Sequence, residues 1–272
     1  MYLIHCVITY NRMEYLRKHL NTWEATRDKS HSWTLLIADD GSNYDVLNFI
    51  RSFEFENVAL KVFSNKRRGV HYQVNQLLKV CSEREFDLGF MVEDDVFFIQ
   101  SNWDNLYIKT VKSTGYDYLC YFNKIWASNH GKSVHIKEDC IYNKERNLQS
   151  EVIAYNSEGQ FWTFTKKLIQ RVGYFDVQNF GVWGSGHTDF ALRCCHLNFN
   201  MNKSPFDLFE SEKYIAIQNE DYKKAFRKRE QKIVPGTIGV PDSGHKGLIL
   251  NKTNRGYIPY NECPFNMLGE RV

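Results

Sequence analysis

Long apolar runs, CxxC cysteine pairs and a strong charge of either sign are all absent from this sequence of 272 residues. No stretch of about 18 apolar residues occurs, so a membrane-spanning helix is not predicted. The seven cysteines form no CxxC pair and no close Cys/His set of zinc-finger spacing, which disfavours a zinc finger and favours reduced thiols in the core. Because the net charge is only +3, no nucleic acid is predicted as a partner.

The start of the chain also lacks a secretory signal. Met1 to Tyr10 has the pattern of a buried strand, without the basic start, apolar stretch and small-residue cleavage site of such a signal. Together with the missing membrane span, this pattern predicts a cytoplasmic protein. The contents of 43% hydrophobic and 25% charged residues are typical of a globular chain with a substantial core.

Apolar runs alternate with segments of helical period through the first half of the sequence. Strands are predicted at Tyr2 to Thr9, Trp33 to Ala38, Val58 to Phe63 and Leu88 to Val92, and helices at Met13 to Thr26, Tyr44 to Phe53 and Val70 to Cys81. This order predicts an α/β fold with a parallel sheet and crossover helices.

Polar groups follow each of the four predicted strands. They lie at Thr9 to Arg12, Asp39 to Ser42, Asn65 to Gly69 and Glu93 to Asp95. Because ligands of such sheets bind beyond the carboxyl ends of the strands, we expect these groups to line one crevice there.

Three consecutive carboxylates, Glu93, Asp94 and Asp95, interrupt an otherwise apolar strand. Burying an acid is costly unless it is paired or binds a metal. Oxygen ligands suit Mg²⁺ or Mn²⁺, and one of these metals is the predicted cofactor. A solvated turn at the end of the strand is the alternative interpretation.

The order of these segments resembles the motif series of family 2 glycosyltransferases. The matching segments are Val7 to Arg12, Leu36 to Ser42, Asn65 with Gly69 and Asn75, Glu93 to Asp95, Gly159 to Phe164, Gly173 to Asp176 and Gly186 to Arg193. The resemblance covers the chain to about Leu197. It implies the GT-A fold, a Rossmann-like α/β domain whose mostly parallel central sheet is flanked by helices.

The same resemblance implies a metal-dependent transfer of a sugar from a nucleotide diphosphate, with a UDP-sugar favoured as donor. The chain would be a single domain over 1–272. Residues 1–120 would bind the nucleotide-sugar, residues 121–220 would bind the acceptor, and the basic segment 221–272, which contains Gly and Pro, would close over the site. The implied acceptor is a glycan or a lipid-linked sugar in bacterial surface polysaccharide synthesis.

The resemblance implies that residues after the first two predicted strands bind the nucleotide. The nucleobase pocket would be lined by Thr9, Tyr10, Asn11 and Arg12. Asp40 would accept the N3 hydrogen of a uracil-like base, a contact that suits a carboxylate at a strand end. A plain turn residue before Gly41 is the alternative role for Asp40.

A basic loop precedes the third predicted helix. Lys66, Arg67 and Arg68 stand before Gly69, where cations and free backbone N–H groups would lie near the donor phosphates. A solvated surface run is equally compatible with this pattern.

By the same resemblance Asp95 is the main protein ligand of the metal. Glu93 or Asp94 would then hold the ribose or the metal's water shell. His245, in a Gly-rich loop near the end of the sequence, would complete the metal's ligands, with a histidine placed there by chance as the alternative.

The catalytic base is where the sequence departs from the family. Relatives carry the pattern Glu-Asp-x-Asp-Leu, in which the first Asp deprotonates the acceptor hydroxyl, whereas this chain has Gly186, His187 and Asp189 at the corresponding positions. Imidazole can accept a proton at neutral pH, so His187 is the first candidate and Asp189 the second. A structural histidine and a helix cap are the alternatives.

Two aromatic residues, Trp162 and Trp183, are candidates for stacking on the acceptor sugar, although such rings more often belong to the core.

The basic stretch from Lys223 to Lys232 is able to lie against the anionic inner face of a membrane, with a solvated helix face as the alternative.

An inverting transfer is expected if His187 or Asp189 stands where the family's base stands, and a retaining enzyme is the alternative. Two other functions are weighed: a GT-A-like glycan-binding or scaffold protein without catalysis, which the missing acidic pair favours, and a sugar nucleotidyltransferase. The segment Thr9 to Arg12 disfavours the latter, because such enzymes carry a Gly-rich loop there.

Overall fold

The computed structural model describes residues 1–121, 140–143, 145–146, 148–151, 159–180, 186–200, 206–218 and 256–260. Its strands are β1 Tyr2–Thr9, β2 Ser32–Asp39, β3 Val58–Ser64, β4 Leu88–Glu93, β5 Val96–Phe98, β6 Cys140–Asn143, β7 Leu148–Glu151, β8 Phe161–Phe164, β9 Asp207–Leu208 and β10 Ile215–Ile217. Its helices are α1 Met13–Thr26, α2 Val46–Arg51, α3 Val70–Ser82, α4 Trp103–Thr114, α5 Lys166–Val172, α6 Val177–Phe180 and α7 Gly186–His196.

The central sheet has five strands in the order β3-β2-β1-β4-β8. The first four are parallel to their neighbours, and β8 pairs antiparallel with β4. The predicted α/β class and the mostly parallel sheet are therefore confirmed. β8 closes the sheet on the side of β4 and begins the second half of the molecule.

Helices cover both faces of this sheet, because the inner strands are apolar on both sides. In β1, Leu3 and Val7 pack with α1, α2 and α4, while Ile4, Cys6 and Ile8 pack with α3, α5 and α7. Strands buried on both faces have continuous apolar sequences, which is the pattern of parallel strands in α/β proteins. All five described free cysteines are buried, as expected for core thiols.

A short sheet ties a later part of the chain to the end of β4. β10 pairs antiparallel with β5, and the backbone N–H of Gln218 donates to the Asp95 carbonyl at 3.0 Å. Residues 215–218 therefore run beside the acidic segment that follows β4. None of the described helices is long and apolar enough to cross a bilayer.

Two histidines form a buried pair inside the aromatic core between β1 and α1. His19 Nδ1 lies 2.7 Å from the Val96 carbonyl, and its Nε2 lies 2.9 Å from His5 Nε2. Since a carbonyl only accepts, His19 carries its proton on Nδ1, and His5 donates to the other nitrogen. Burial lowers the pKa of His19 to about 4, and burial with the charges of His19 and Arg27 lowers the pKa of His5.

This pair makes folding sensitive to acid. Both folded pKa values lie below that of an unfolded histidine, so the unfolded state binds more protons and the free energy of unfolding falls as the pH drops below about 6.5. At pH 5, His19 alone should cost roughly 2 kcal/mol.

We expect the double variant His5→Gln/His19→Gln to lose less stability than the parent between pH 7 and pH 5 in urea unfolding. Glutamine does not titrate and its amide can still donate to Val96. Parallel pH profiles for the two proteins would contradict this account.

Candidate active site

The carboxyl ends of β1, β2 and β4 are joined by short side-chain hydrogen bonds. Thr9 Oγ1 donates to Asp94 Oδ2 at 2.7 Å, which links β1 to β4. The Asn11 backbone N–H donates to Ser42 Oγ at 2.8 Å, and the Asn43 N–H donates to Asn11 Oδ1 at 2.6 Å. Asn11 has φ of 51°, a left-handed conformation that asparagine tolerates well. The structure thus brings these predicted residues together at one edge.

The acidic segment is buried and neutralised by an arginine from the β1–α1 turn. Asp94 and Asp95 are 2% and 1% exposed. Arg12 Nη1 donates to Asp94 Oδ1 at 2.9 Å and to Asp95 Oδ2 at 3.2 Å. Arg12, which was predicted to face the nucleobase, is therefore the cation of this acid pair, with a third of its side chain exposed.

Burial sets the electrostatics of the pair. It raises the pKa of Asp94 to about 7 despite the opposing charge of Arg12, and it also raises the pKa of Asp95. Burial alone would lower the pKa of Arg12, but the acidic charges outweigh that effect and raise it. The positive charge of Arg12 therefore opposes the rise in both pKa values that burial causes.

The two carboxylates differ in how completely they are hydrogen-bonded. Asp94 has both oxygens engaged, by Thr9 and Arg12. Asp95 Oδ1 is buried and has no hydrogen-bond partner among the described residues. An unpartnered buried carboxylate oxygen fits a metal ligand. Among all the described residues, no group of three His, Cys, Asp or Glu side chains is placed so that it could hold a metal ion.

Asp40 holds the loop that leads into α3. Its Oδ1 accepts hydrogen bonds from the backbone N–H groups of Arg68 and Gly69, at 2.6 and 2.9 Å, and from Gln73 Nε2 at 2.8 Å. Among the described residues, its Oδ2 accepts only from the Gly69 N–H, at 3.0 Å. Burial raises the pKa of Asp40, and these donors oppose that rise. Asp40 thus anchors the loop and keeps acceptor capacity on Oδ2.

The basic loop folds over the aromatic residue at the end of β1. The Arg67 guanidinium lies 4.2 Å from the centre of the Tyr10 ring, and Arg68 lies 3.9 Å from that of Tyr72. Gly69 has φ of 95°, which lets the chain turn directly into α3. The structure therefore sets Arg67 beside Tyr10, two residues predicted for phosphate and base.

The helix α7 brings His187 to the same edge. A Cβ placed on Gly159 would lie 3.0 Å from His187 Cβ, so the two residues are in close contact. The neighbouring Gln160 carbonyl accepts from the Glu93 N–H at 2.8 Å, beside the end of β4. His187, which is partly exposed, therefore lies near the acidic segment.

Two of the predicted site residues lie in the core. Asp189 is fully buried and accepts from Arg193 Nε at 2.9 Å, while the same guanidinium donates to the carbonyls of Val172 and Tyr174. This corrects its ranking as second candidate base, because the buried carboxylate pairs with Arg193 on the same helix, and Arg193 joins α7 to the chain at the end of α5. Trp162 is 1% exposed and lies against Phe190, with ring centres 5.1 Å apart. It cannot stack on an acceptor sugar, which corrects that prediction.

The remaining predicted residues, Trp183, His245 and the stretch from Lys223 to Lys232, lie outside the described residues. His71, which was not among the residues predicted from the sequence, packs against Gly186. A Cβ on Gly186 would meet the His71 ring at 2.5 to 2.8 Å, so this ring fills the space that a side chain at position 186 would need. The sequence clue to this contact was Gly186, which the predicted resemblance places at the position of the family's glutamate.

The fit between Gly186 and His71 can be tested with a double-mutant cycle. Gly186→Ala should destabilise the fold by about 1–3 kcal/mol, because the new methyl group overlaps a buried ring. Adding His71→Ala removes that ring, so the double variant should be more stable in urea unfolding than the sum of the two single effects. Additive effects would mean that the two residues do not share this space.

No family model matches the sequence. The uncharacterised glycosyltransferase R363 of Acanthamoeba polyphaga mimivirus is 26% identical to this chain over 211 residues, which make up 76% of this chain and 75% of the viral protein.

Several solved structures have the same fold. Residues 1–349 of S. aureus TarS give a TM-score of 0.57 at 18% identity, over 92% of this chain and 69% of that one. The mannosyltransferase PcManGT from Pyrobaculum calidifontis, in complex with GDP-Man and Mn²⁺, gives 0.52 at 14% identity, over 76% of this chain and 55% of that one. These comparisons confirm the predicted resemblance to glycosyltransferases and the GT-A fold.

Proposed function

We propose that this chain, a glycosyltransferase of GT-A fold, transfers a sugar from a UDP-sugar to a hydroxyl of a glycan or lipid-linked acceptor, with inversion and with Mn²⁺ or Mg²⁺ as cofactor. The observation that carries the proposal is the buried Asp94–Asp95 pair at the carboxyl edge of the sheet, in which Asp95 Oδ1 has no hydrogen-bond partner among the described residues. Surface polysaccharide synthesis is the proposed context for the acceptor.

The donor site is supported by the groups around Tyr10. Its ring and the Arg67 guanidinium are stacked 4.2 Å apart, which suits a base packed beside a cation that reaches the phosphates. Asp40 Oδ2 keeps acceptor capacity for an imide N–H. A further solved structure of TarS residues 1–349, 17% identical to this chain, is a complex with UDP, and the PcManGT structure is a complex with GDP-Man and Mn²⁺. We prefer a uracil nucleotide as donor because Asp40 Oδ2 is placed to accept the imide N–H of that base.

In this mechanism the residues of the acid pair have separate tasks. Asp95 would hold the metal through Oδ1. Asp94 would stay hydrogen-bonded to Thr9 and Arg12 and so fix the β1–α1 turn beside the metal. The metal, when bound, would act as a Lewis acid on the diphosphate oxygens and stabilise their charge as the diphosphate departs.

His187 would accept the proton of the acceptor hydroxyl. Its imidazole is partly exposed, stands on the first turn of α7 and contacts Gly159 near the end of β4. A base on the acceptor side of the sugar directs the attack to the face opposite the diphosphate, and the anomeric centre is inverted. A neutral imidazole is suited to this step near pH 7.

Replacing the proposed metal ligand should abolish transfer without unfolding the chain. We expect Asp95→Asn to lower the rate of sugar transfer from UDP-sugars by about 100-fold or more at ordinary Mn²⁺ concentrations. The matched control is Asp87→Asn, since Asp87 is an exposed aspartate that caps the Tyr2 N–H at the opposite edge of the sheet. Undiminished transfer by Asp95→Asn would remove Asp95 from the metal site.

Replacing the proposed base should slow the chemical step and leave donor binding intact. His187→Ala is expected to lower kcat for transfer by about 10² to 10⁴-fold, with an unchanged Kd for the nucleotide-sugar. His196→Ala is the control, because His196 is an exposed histidine at the other end of the same helix. Full transfer by His187→Ala with normal donor binding would exclude the base role.

A glycan-binding or scaffold protein of the same fold is the second candidate. It is favoured by Gly186, which leaves no carboxylate at the position of the family's glutamate and whose space is filled by His71. The two functions separate on the parent protein: metal-dependent hydrolysis of a nucleotide-sugar supports the transferase, and glycan binding without any hydrolysis or transfer supports the scaffold.

A further inference from the structure

Arg12 occupies an unusual position between the two buried carboxylates. A single nitrogen, Nη1, donates to Asp94 Oδ1 at 2.9 Å and to Asp95 Oδ2 at 3.2 Å. The guanidinium also lies 5.5 Å from the centre of the Tyr15 ring on the first turn of α1. With a third of its side chain exposed, Arg12 sits between the acid pair and solvent.

The contact with Asp95 is the weaker of the two. It is longer, and Asp95 keeps one oxygen without a partner among the described residues, whereas Asp94 is held on both oxygens. Arg12 can therefore leave Asp95 and remain bonded to Asp94. A divalent cation at Asp95 would favour that change, since two cations beside one carboxylate repel each other strongly where little water separates them.

We propose that Arg12 is a built-in competitor of the divalent metal and sets the metal affinity of the site. This inference rests on the proposed function, since it takes Asp95 as the metal ligand. In the metal-free protein Arg12 compensates the charge of both acids, and metal loading shifts the guanidinium from Asp95 toward Asp94 and solvent. Because the guanidinium and the metal repel each other at Asp95, removing the Arg12 charge should tighten metal binding.

Direct binding of Mn²⁺ tests the competition without measuring activity. Electron paramagnetic resonance of free Mn²⁺ gives the Kd for the parent, for Arg12→Gln and for Arg17→Gln. Arg17 lies on α1, the helix that follows Arg12, and its variant removes an equal charge outside the acid pair. We expect Arg12→Gln to bind Mn²⁺ on the order of tenfold more tightly than the parent, and Arg17→Gln to match the parent. An unchanged or weaker affinity for Arg12→Gln would overturn the proposal.

A second comparison guards against misfolding, because Arg12→Gln leaves two buried acids without their cation. The double variant Arg12→Gln/Asp94→Asn removes one charge of each sign and is compared with Asp94→Asn alone. The double variant should again bind Mn²⁺ several-fold more tightly, and equal affinities would overturn the proposal. In both comparisons the bound metal must be lost with Asp95→Asn.

The failures of the two proposals are distinguishable. If Mn²⁺ binds the parent and Arg12→Gln equally, and Asp95→Asn abolishes binding, Arg12 is not a competitor and the proposed metal site stands. If Mn²⁺ binds none of these proteins, with or without UDP, the metal-dependent function and the competition are both overturned.

Discussion

The structure depends on the neutralisation of two adjacent carboxylates at the end of a buried strand. Asp94 and Asp95 follow β4, and their desolvation would oppose folding if no donors reached them. Arg12 supplies the charge and Thr9 a second hydrogen bond, and both come from the end of β1, the parallel neighbour of β4. The turn between β1 and α1 therefore holds the site together and is itself fixed by Asn11, which reaches across to Ser42 and Asn43.

A second carboxylate at the same edge, Asp40, is also buried, and hydrogen bonds together with the charge of Arg67 oppose the rise in its pKa. Asp40 accepts two backbone N–H groups and the amide of Gln73, all from the loop and the first turn of α3. These N–H groups stabilise the carboxylate of Asp40, as the guanidinium of Arg12 stabilises the acid pair. The contrast indicates where a cation is useful: both oxygens of Asp40 already accept hydrogen bonds, whereas Asp95 Oδ1 has no partner in the described part of the chain.

The sheet was predictable from sequence because its signal is local. Seven predicted segments of the first half correspond to β1 to β4 and α1 to α3, and the largest difference is α2, which is confined to Val46–Arg51. The errors concern contacts between distant segments. Trp162 lies on a strand covered on both faces, which its own neighbours do not reveal. Asp189 and Arg193, however, are four apart on one helix, a spacing that could have indicated their ion pair.

The balance of charge in the acid pair also changes what its presence implies about function. A buried carboxylate cluster in a protein that never bound metal would be a cost to stability, and this would argue against a scaffold. With Arg12 in place much of that cost is offset, so burial alone no longer separates an enzyme from a scaffold. The unequal hydrogen bonding of the two carboxylates does separate them. A pair kept only for stability would gain from donors on all four oxygens. Here three oxygens have a donor, and Asp95 Oδ1 has none among the described residues. That single oxygen is the strongest structural argument for a bound cation.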